Sequence, residues 1–553
     1  PPAPPLSAEN ALAISAGPLG GTTFPGTGRV SLAARSPLTG LWGEASLGGY
    51  FGTQLKRAGY DALIVRGMSP QPVILVIDEN DVRLEPAGDL WGQETYDTER
   101  TLRARYPNSR VITIGPAGER CAPMASLVHQ EGNDVAARCG LGAVAGSKQL
   151  KAIVARGAQS VPLADEKAFN ALKRQALKLF SQNGFLMGIQ RGRGTAGMTS
   201  VSIELGDLPS RNWQLHPHEW LEYAEKITGD AMHEMFPPEK DTCYACPVAC
   251  KWLVNAPRLD GTTGHLAGVE YESLAGLGSQ TQSSDALAIL QTGDLCNRLG
   301  IDTISAGATI AWAIEAYEKG ILTQAHTDGL ALEWGNPALV LELVQRMSEN
   351  RPGIGALLAQ GSRRAAEQIG GGAEFAIQVK GLELPFHHPR ALRGLEIAYA
   401  TLPRGASHNE EGAVNDHDHS YESWIGDIIH AMDLSGANSS MVYCQFLAGA
   451  LNEDYTAQLL TAATGVTYSP EDLQRVGERT WYLRRAFNAR LGVGREADGL
   501  PRRVVEQIQA SGAPLADFDR ALNEFFRQRE LDESGTPSPS TLQAFGLLLN
   551  PSR

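Results

Sequence analysis

Over the first 160 residues the apolar positions come in short β-branched runs closed off by glycine. Asp61-Ala62-Leu63-Ile64-Val65-Arg66-Gly67, Val73 to Asp78, Val111 to Gly115 and Leu150 to Ala155 predict strands with turn punctuation. From about Asp165 the period changes. Ala168 to Phe180 carries apolar residues three and four apart, the spacing of a helix with one buried face. The same signal returns over 286–299, 308–317, 339–347, 365–369, 455–464 and 472–487. No repeat of 20–50 residues runs through the chain, so no solenoid is expected. The pattern predicts a β-rich first part of about 160 residues followed by a mainly helical remainder.

Length and composition narrow the partners. At 553 residues with 42% hydrophobic content the chain has ample core and needs no disulfide staple. Its net charge of −14 argues against nucleic acid or an anionic membrane as main partner, since both need a cationic footprint. No stretch of 18 apolar residues suggests direct membrane insertion, and a cytoplasmic setting is expected. The chain opens on Pro1 rather than Met.

Three of the seven cysteines fall in Cys243-Tyr244-Ala245-Cys246-Pro247-Val248-Ala249-Cys250. A tight Cys-x2-Cys-x3-Cys loop can wrap three corners of a cubane [4Fe–4S] cluster, with the fourth thiolate arriving from elsewhere. Zinc is the competing reading, but no second knuckle or histidine pair follows Cys250. Cys121, Cys139 and Cys296 are by default small core residues, and Cys444 lies at the end of an apolar segment. Two glycine-rich stretches, Gly17 to Gly52 and Arg138 to Lys148, would let backbone approach a phosphate or flat heterocycle. An arginine ahead of Gly140-Leu141-Gly142 suits a bidentate phosphate clamp.

Taken in order, Gly17-Pro18-Leu19, Ser36 to Gly40, Gly48 to Gly52, Leu55 to Asp61, Gly140 to Ile153, the cysteine loop, Glu270-Tyr271-Glu272, Gly300 to Ser305, Ala398 to Thr401 with Arg404-Gly405, and Leu522 to Phe526 resemble the tungsten-containing aldehyde:ferredoxin oxidoreductase family. The resemblance implies an α+β fold, a double-sheet base carrying a tungsten bis-pyranopterin followed by two mainly helical domains, divided here as 1–163, 164–388 and 389–553, with a [4Fe–4S] cluster beside the pterin. It assigns Cys243, Cys246, Cys250 and Cys444 to the cluster. Arg29, Ser46, Gly48, Arg138, Cys139, Gly140 and Gly142 match positions that hold the pterin phosphates, the carbonyls of Ser46 and Cys139 reaching a bridging Mg²⁺. Asn297 and Asp302 match one pterin-recognition segment, with Asn297 in place of its leading Asp; Ser439 to Cys444 keeps only the Cys of the other. Relatives place a Gly-Gly segment ahead of this chain's first residue, so a piece of the pterin site is expected upstream.

Aldehyde oxidation needs a water-derived oxygen, a proton acceptor and a two-electron sink. Glu272 aligns with the family's active-site glutamate, with Glu270 the alternative if the register slips. His408, after Arg404-Gly405-Ala406-Ser407, resembles a histidine facing the pterin. His419 is a substrate-side candidate, and His387 and His388 are further ones. Asp416 to His419 also admits a separate metal site. The expected activity is oxidation of a small aldehyde to the carboxylic acid, with electrons leaving to ferredoxin or a polyferredoxin-like subunit, from a homo- or hetero-oligomer. A benzoyl-CoA reductase-type ring reductase and a non-catalytic electron relay are the alternatives.

Overall fold

The computed structural model describes residues 2–79, 81–409, 421–510 and 518–548. Its base is two sheets. Trp42–Leu47, Val30–Arg35, Leu12–Ala16 and Ala62–Val65 form an antiparallel four-stranded sheet in that order. Asp81–Pro86, Val73–Asp78, Leu150–Arg156, Arg110–Ile114, Leu127–His129 and Asp134–Ala136 form the second, parallel only between Val73–Asp78 and Leu150–Arg156. In Val30–Arg35 the alternate residues Val30, Leu32 and Ala34 face inward, as a half-buried strand requires. Leu150–Arg156 is central to its sheet and buried on both faces, so its residues are apolar from Ala152 to Ala155, and the one buried charge, Lys151, is paired with Glu119 at 2.5 Å. Leu12, Ile14, Leu32, Ile112, Ile114 and Ile153 share one core between the sheets.

Helices follow. Ala286–Leu299 starts on the Asp285 cap and ends at Gly300, which takes φ +74°. Thr303–Glu318 starts on Asp302 and is buried nearly all round. The segment between them is sewn to the base: Ser126 N–H donates to the Gly300 carbonyl at 2.9 Å and Asp302 N–H to the Met124 carbonyl at 3.1 Å. This fixes Asp302 beside the Arg138–Gly142 turn.

Towards the C-terminus, Tyr421–Ser440, Pro470–Ala489 and Phe518–Gln528 pack around Trp424, Trp481, Tyr482 and Phe525. The helical part also holds a three-stranded sheet, Pro238–Asp241, Lys251–Pro257 and Thr263–Ala267, which the hydrophobic pattern does not predict. The cysteine loop is the connection between its first two strands. Among the described residues no helix is long and apolar enough to cross a membrane.

Candidate functional site

The cysteine loop turns twice through the left-handed region, at Ala245 (φ +54°) and Ala249 (φ +49°), each directly before a cysteine. These reversals bring Cys246 and Cys250 back towards Cys243. The fourth thiol arrives on a separate element: Cys444 N–H donates to the Gly26 carbonyl at 3.2 Å, and Cys444 heads the short helix Gln445–Ala448. Gly49 N–H donates to Cys243 Sγ at 3.3 Å. All seven cysteines are free thiols.

Burial first, then Cys444 and Cys243, push the Cys246 thiol up to about 11; Cys250 is pushed up by burial and by Glu270, Cys444, Cys243 and Cys246. Cys246 and Cys250, half-buried and each hindered in ionisation by neighbouring thiols, form with Cys243 and Cys444 a donor set that a polynuclear cation would relieve. Among the described residues no three His, Cys, Asp or Glu side chains converge as ligands of a single ion. Lys251, next after Cys250, is buried against Asp134, whose pairing keeps its ammonium charged despite burial. Cys139 and Cys296 are core residues; Cys121 is half-buried.

A cavity of about 710 Å³ opens between the four-stranded sheet and the C-terminal helices. Arg29, Ser46, His408 and Cys444 all line it. Arg29 donates from Nε and Nη2 to Ser46 Oγ at 3.1 and 3.0 Å. Gly48 is required here, because a Cβ would strike the Asp134 carboxylate and come within 3.2 Å of Arg29 Nη1. Ser439 also lines the cavity and accepts a hydrogen bond from Gln445 at 3.1 Å.

Arg138 and Asp302 meet beside the Cys139–Gly142 turn. Arg138 Nη2 donates to the Glu383 carbonyl at 2.6 Å, and its Nε lies 3.2 Å from Asp302 Oδ2. Neither that Nε nor that Oδ2 has a hydrogen-bond partner, although both are buried. Asp302 Oδ1 caps Ile304 N–H at 3.0 Å. Cys139 and Gly140 both take φ +70°, which turns successive amides outward; a Cβ on Gly140 would collide with the Pro123 carbonyl. Gly142 packs as closely against Ser126. The Cys139 carbonyl already accepts from Ser36 Oγ at 2.8 Å. Asn297 points to the Gly132 turn, its amide donating to the Gly132 carbonyl at 3.3 Å.

Glu272 stands in the first turn of Tyr271–Leu277. Its Oε2 accepts from Phe386 N–H at 3.0 Å. Its Oε1 is buried without a hydrogen-bond partner, 3.5 Å from His408 Nδ1 and 3.7 Å from His387 Nε2. Burial raises the Glu272 carboxyl above the ordinary range, opposed by His387, the Phe386 amide and Arg138. His408 is held well below its usual value by burial and then by His387, Arg138 and Arg404, so its imidazole is neutral. His387 Nδ1 is 2.6 Å from Asp207 Oδ2, and its ring stacks on Tyr271 at 4.4 Å and 13°. Asp207 is the member that sequence reading missed. Glu270 turns away, capping nothing and accepting from Thr195. His388 bonds Gln507 and burial drives it down to about 3. His419, with the Asp416 to His419 segment, lies outside the described residues.

The N-terminal domain of aldehyde ferredoxin oxidoreductase matches residues 1–157, and domains 2 and 3 of the same family match residues 171–547. The chain belongs to the aldehyde ferredoxin oxidoreductase family. It is an oxidoreductase. It is 35% identical to the tungsten-containing aldehyde ferredoxin oxidoreductase of Pyrococcus furiosus, over 98% of this chain and 91% of that one. A second, from Thermococcus kodakarensis, is 36% identical over 97% and 90%. The fold is that of the BamBC active-site complex of benzoyl-coenzyme A reductase bound to 1,5-dienoyl-CoA, with a TM-score of 0.84, 24% identity, and coverage of 99% of this chain and 90% of that one. This family member thus keeps the expected base and helical parts.

Proposed function

We propose that this oxidoreductase converts a small aldehyde and water into a carboxylic acid, releasing two electrons and two protons, with the electrons leaving to ferredoxin or a ferredoxin-like subunit. The observation that carries the reading is the buried, unpaired Glu272 Oε1 set beside the equally unpaired His408 Nδ1 at the edge of the cavity. A carboxylate with one oxygen anchored and one free is placed to take a proton.

The donor set fits the family's cofactors. Arg29, Ser46, Arg138, Gly140, Gly142 and Asp302 would hold a tungsten bis-pyranopterin, and Cys243, Cys246, Cys250 and Cys444 a [4Fe–4S] cluster. The Ser46 and Cys139 carbonyls would reach a Mg²⁺ bridging the phosphates, the latter with the lone pair that Ser36 leaves free. When bound, these groups supply a two-electron sink and a one-electron exit.

The chain's own side chains handle protons. The neutral His408 imidazole orients the aldehyde oxygen by a hydrogen bond at the cavity edge. Glu272 Oε1 takes the proton of the attacking water, and burial raises its affinity for that proton above the ordinary carboxylate range. His387 Nε2 is next in line, and Asp207 on its Nδ1 fixes that ring. Stacking on Tyr271 leaves the ring one orientation. Free thiols and the cofactors' chemistry favour a reducing, cytoplasmic setting in the same reading.

The test is viologen-linked assay of the holoenzyme with short aldehydes against benzoyl-CoA. Aldehyde-dependent dye reduction is expected. Ring reduction alone would replace the reading with a ring reductase, and iron without tungsten or molybdenum would make the chain an electron relay.

A further inference from the structure

The loop that carries three of the four thiols has an exposed tip, and its electrical surroundings are unusual in a chain of net charge −14. Ala245 is exposed and Tyr244 and Pro247 are half-buried. Arg57 Nη2 donates to the Tyr244 hydroxyl at 2.7 Å and stands 5.3 Å over that ring. Arg191 Nη1 donates to the Pro247 carbonyl at 2.5 Å. Arg110 lies 4.5 Å over the ring of Tyr50, which meets Tyr244 edge-on at 6.1 Å. Lys240 covers Trp252 on the following strand at 5.2 Å.

Among the described residues none of Arg57, Arg110 and Arg191 is ion-paired with a carboxylate. Asp241 faces Arg110, but its Oδ2 accepts from Gln130 at 2.5 Å and Asn133 at 2.8 Å. Arg110 also opens with Arg100 and Arg103 on a surface hollow of about 560 Å³; Arg100 is neutralised by Asp97 and Glu131. The cations are therefore anchored on carbonyls, a phenol and aromatic faces, which fix their positions and leave their charge. Like charges held together repel, and an opposing acidic surface removes that cost while steering the encounter. The same tip leads inward directly: Tyr244 follows Cys243, and Tyr50 follows Gly49, whose amide bonds Cys243 Sγ.

We propose that this face is the docking site of an acidic iron–sulfur electron carrier, centred on the Tyr244–Pro247 tip and held by Arg57, Arg110 and Arg191. The proposal rests on the assignment of the four thiols to a cluster. Each encounter moves one electron: the thiol-held centre is oxidised, the carrier's centre is reduced, and no bond forms or breaks.

The test measures binding of an acidic ferredoxin to the holoenzyme by biolayer interferometry at low and moderate salt, alongside iron content. The wild type is expected to bind more weakly as salt rises. The R110E/R191E double variant is expected to keep its iron, lose at least about tenfold in affinity and lose most of the salt dependence. R502E, reversing an exposed charge on a distant helix, is expected to bind as the wild type does. Equal affinity of R110E/R191E and wild type overturns the proposal, as does an equal loss in R502E, which would make the effect one of net charge. Competition by inorganic phosphate at matched ionic strength also overturns it, marking a small-anion site. An absence of aldehyde-dependent dye reduction would refute the proposed activity and leave these binding results standing.

Discussion

Glu272 has one oxygen tied to the Phe386 amide and one left between two imidazoles, and this asymmetry separates holding the side chain from using it. Glu272→Gln keeps the tie and removes the base. We expect kcat to fall by about 10²–10⁴-fold with KM nearly unchanged, measured with a short aldehyde and viologen. Because burial raises this carboxyl, the base form is populated only above that raised value, so wild-type kcat/KM climbs with pH on an acid limb displaced above the ordinary carboxylate range. The variant should lose that limb. Asp207 meets the path through His387 Nδ1, while its carboxylate also holds the His388 amide and the Ser202 hydroxyl. Asp207→Asn should cost about tenfold, and the double variant should be no slower than Glu272→Gln, because the two sit on one path. At this scale the sequence was legible where a motif carried the residue. Glu272, His408 and the thiols came through resemblance and spacing. Asp207 did not, because an aspartate 65 residues before Glu272 shows its role only when the chain folds His387 onto it.

Elements meet at the site through close backbone approach. Tyr421–Ser440 and Pro470–Ala489 cross at Gly477, where a Cβ would drive into the Asp433 carbonyl. Gly477→Ala should therefore separate the pair and destabilise the fold by about 1–3 kcal/mol, read as a lowered Tm; restoring glycine restores it. Four strands of the base, at 62–65, 73–78, 110–114 and 150–156, and the helices at 286–299 and 470–489 were readable because each satisfies one period with turn or cap residues at its end. The sheet around the cysteine loop was not. Its strands are four to seven residues long, Lys251–Pro257 does not alternate cleanly between buried and exposed positions, and its neighbours in sequence are cysteines and a proline. Pairing between strands holds it, which no single stretch of sequence records.

For the molecule as a whole, buried histidines set the response to acid. Burial holds His129 and His388 at about 3 against 6.5 unfolded, so between those values the unfolded chain binds more protons and stability falls as pH falls. Glu99, raised to about 7, works in the opposite direction: its contribution is full below 4.5 and is lost as pH rises through 7. Between pH 6.5 and 5 the two histidines oppose one carboxyl. His388→Gln should flatten the acid fall in urea stability by up to one bound proton, about 1.4 kcal/mol per pH unit. An unchanged slope would mean that His388 is charged in the folded state.

Cys444 lies 194 residues beyond Cys250, and its amide is bonded to Gly26, near the other end of the chain. During synthesis the ribosome releases three thiols long before the fourth. Until residue 444 emerges and folds back on the glycine loop, the three stay open to oxidation and to stray metals. Under the proposed assignment the thiol set is complete only once residue 444 has emerged, and a chain truncated before Cys444 would be left with an incomplete set however well its base had folded.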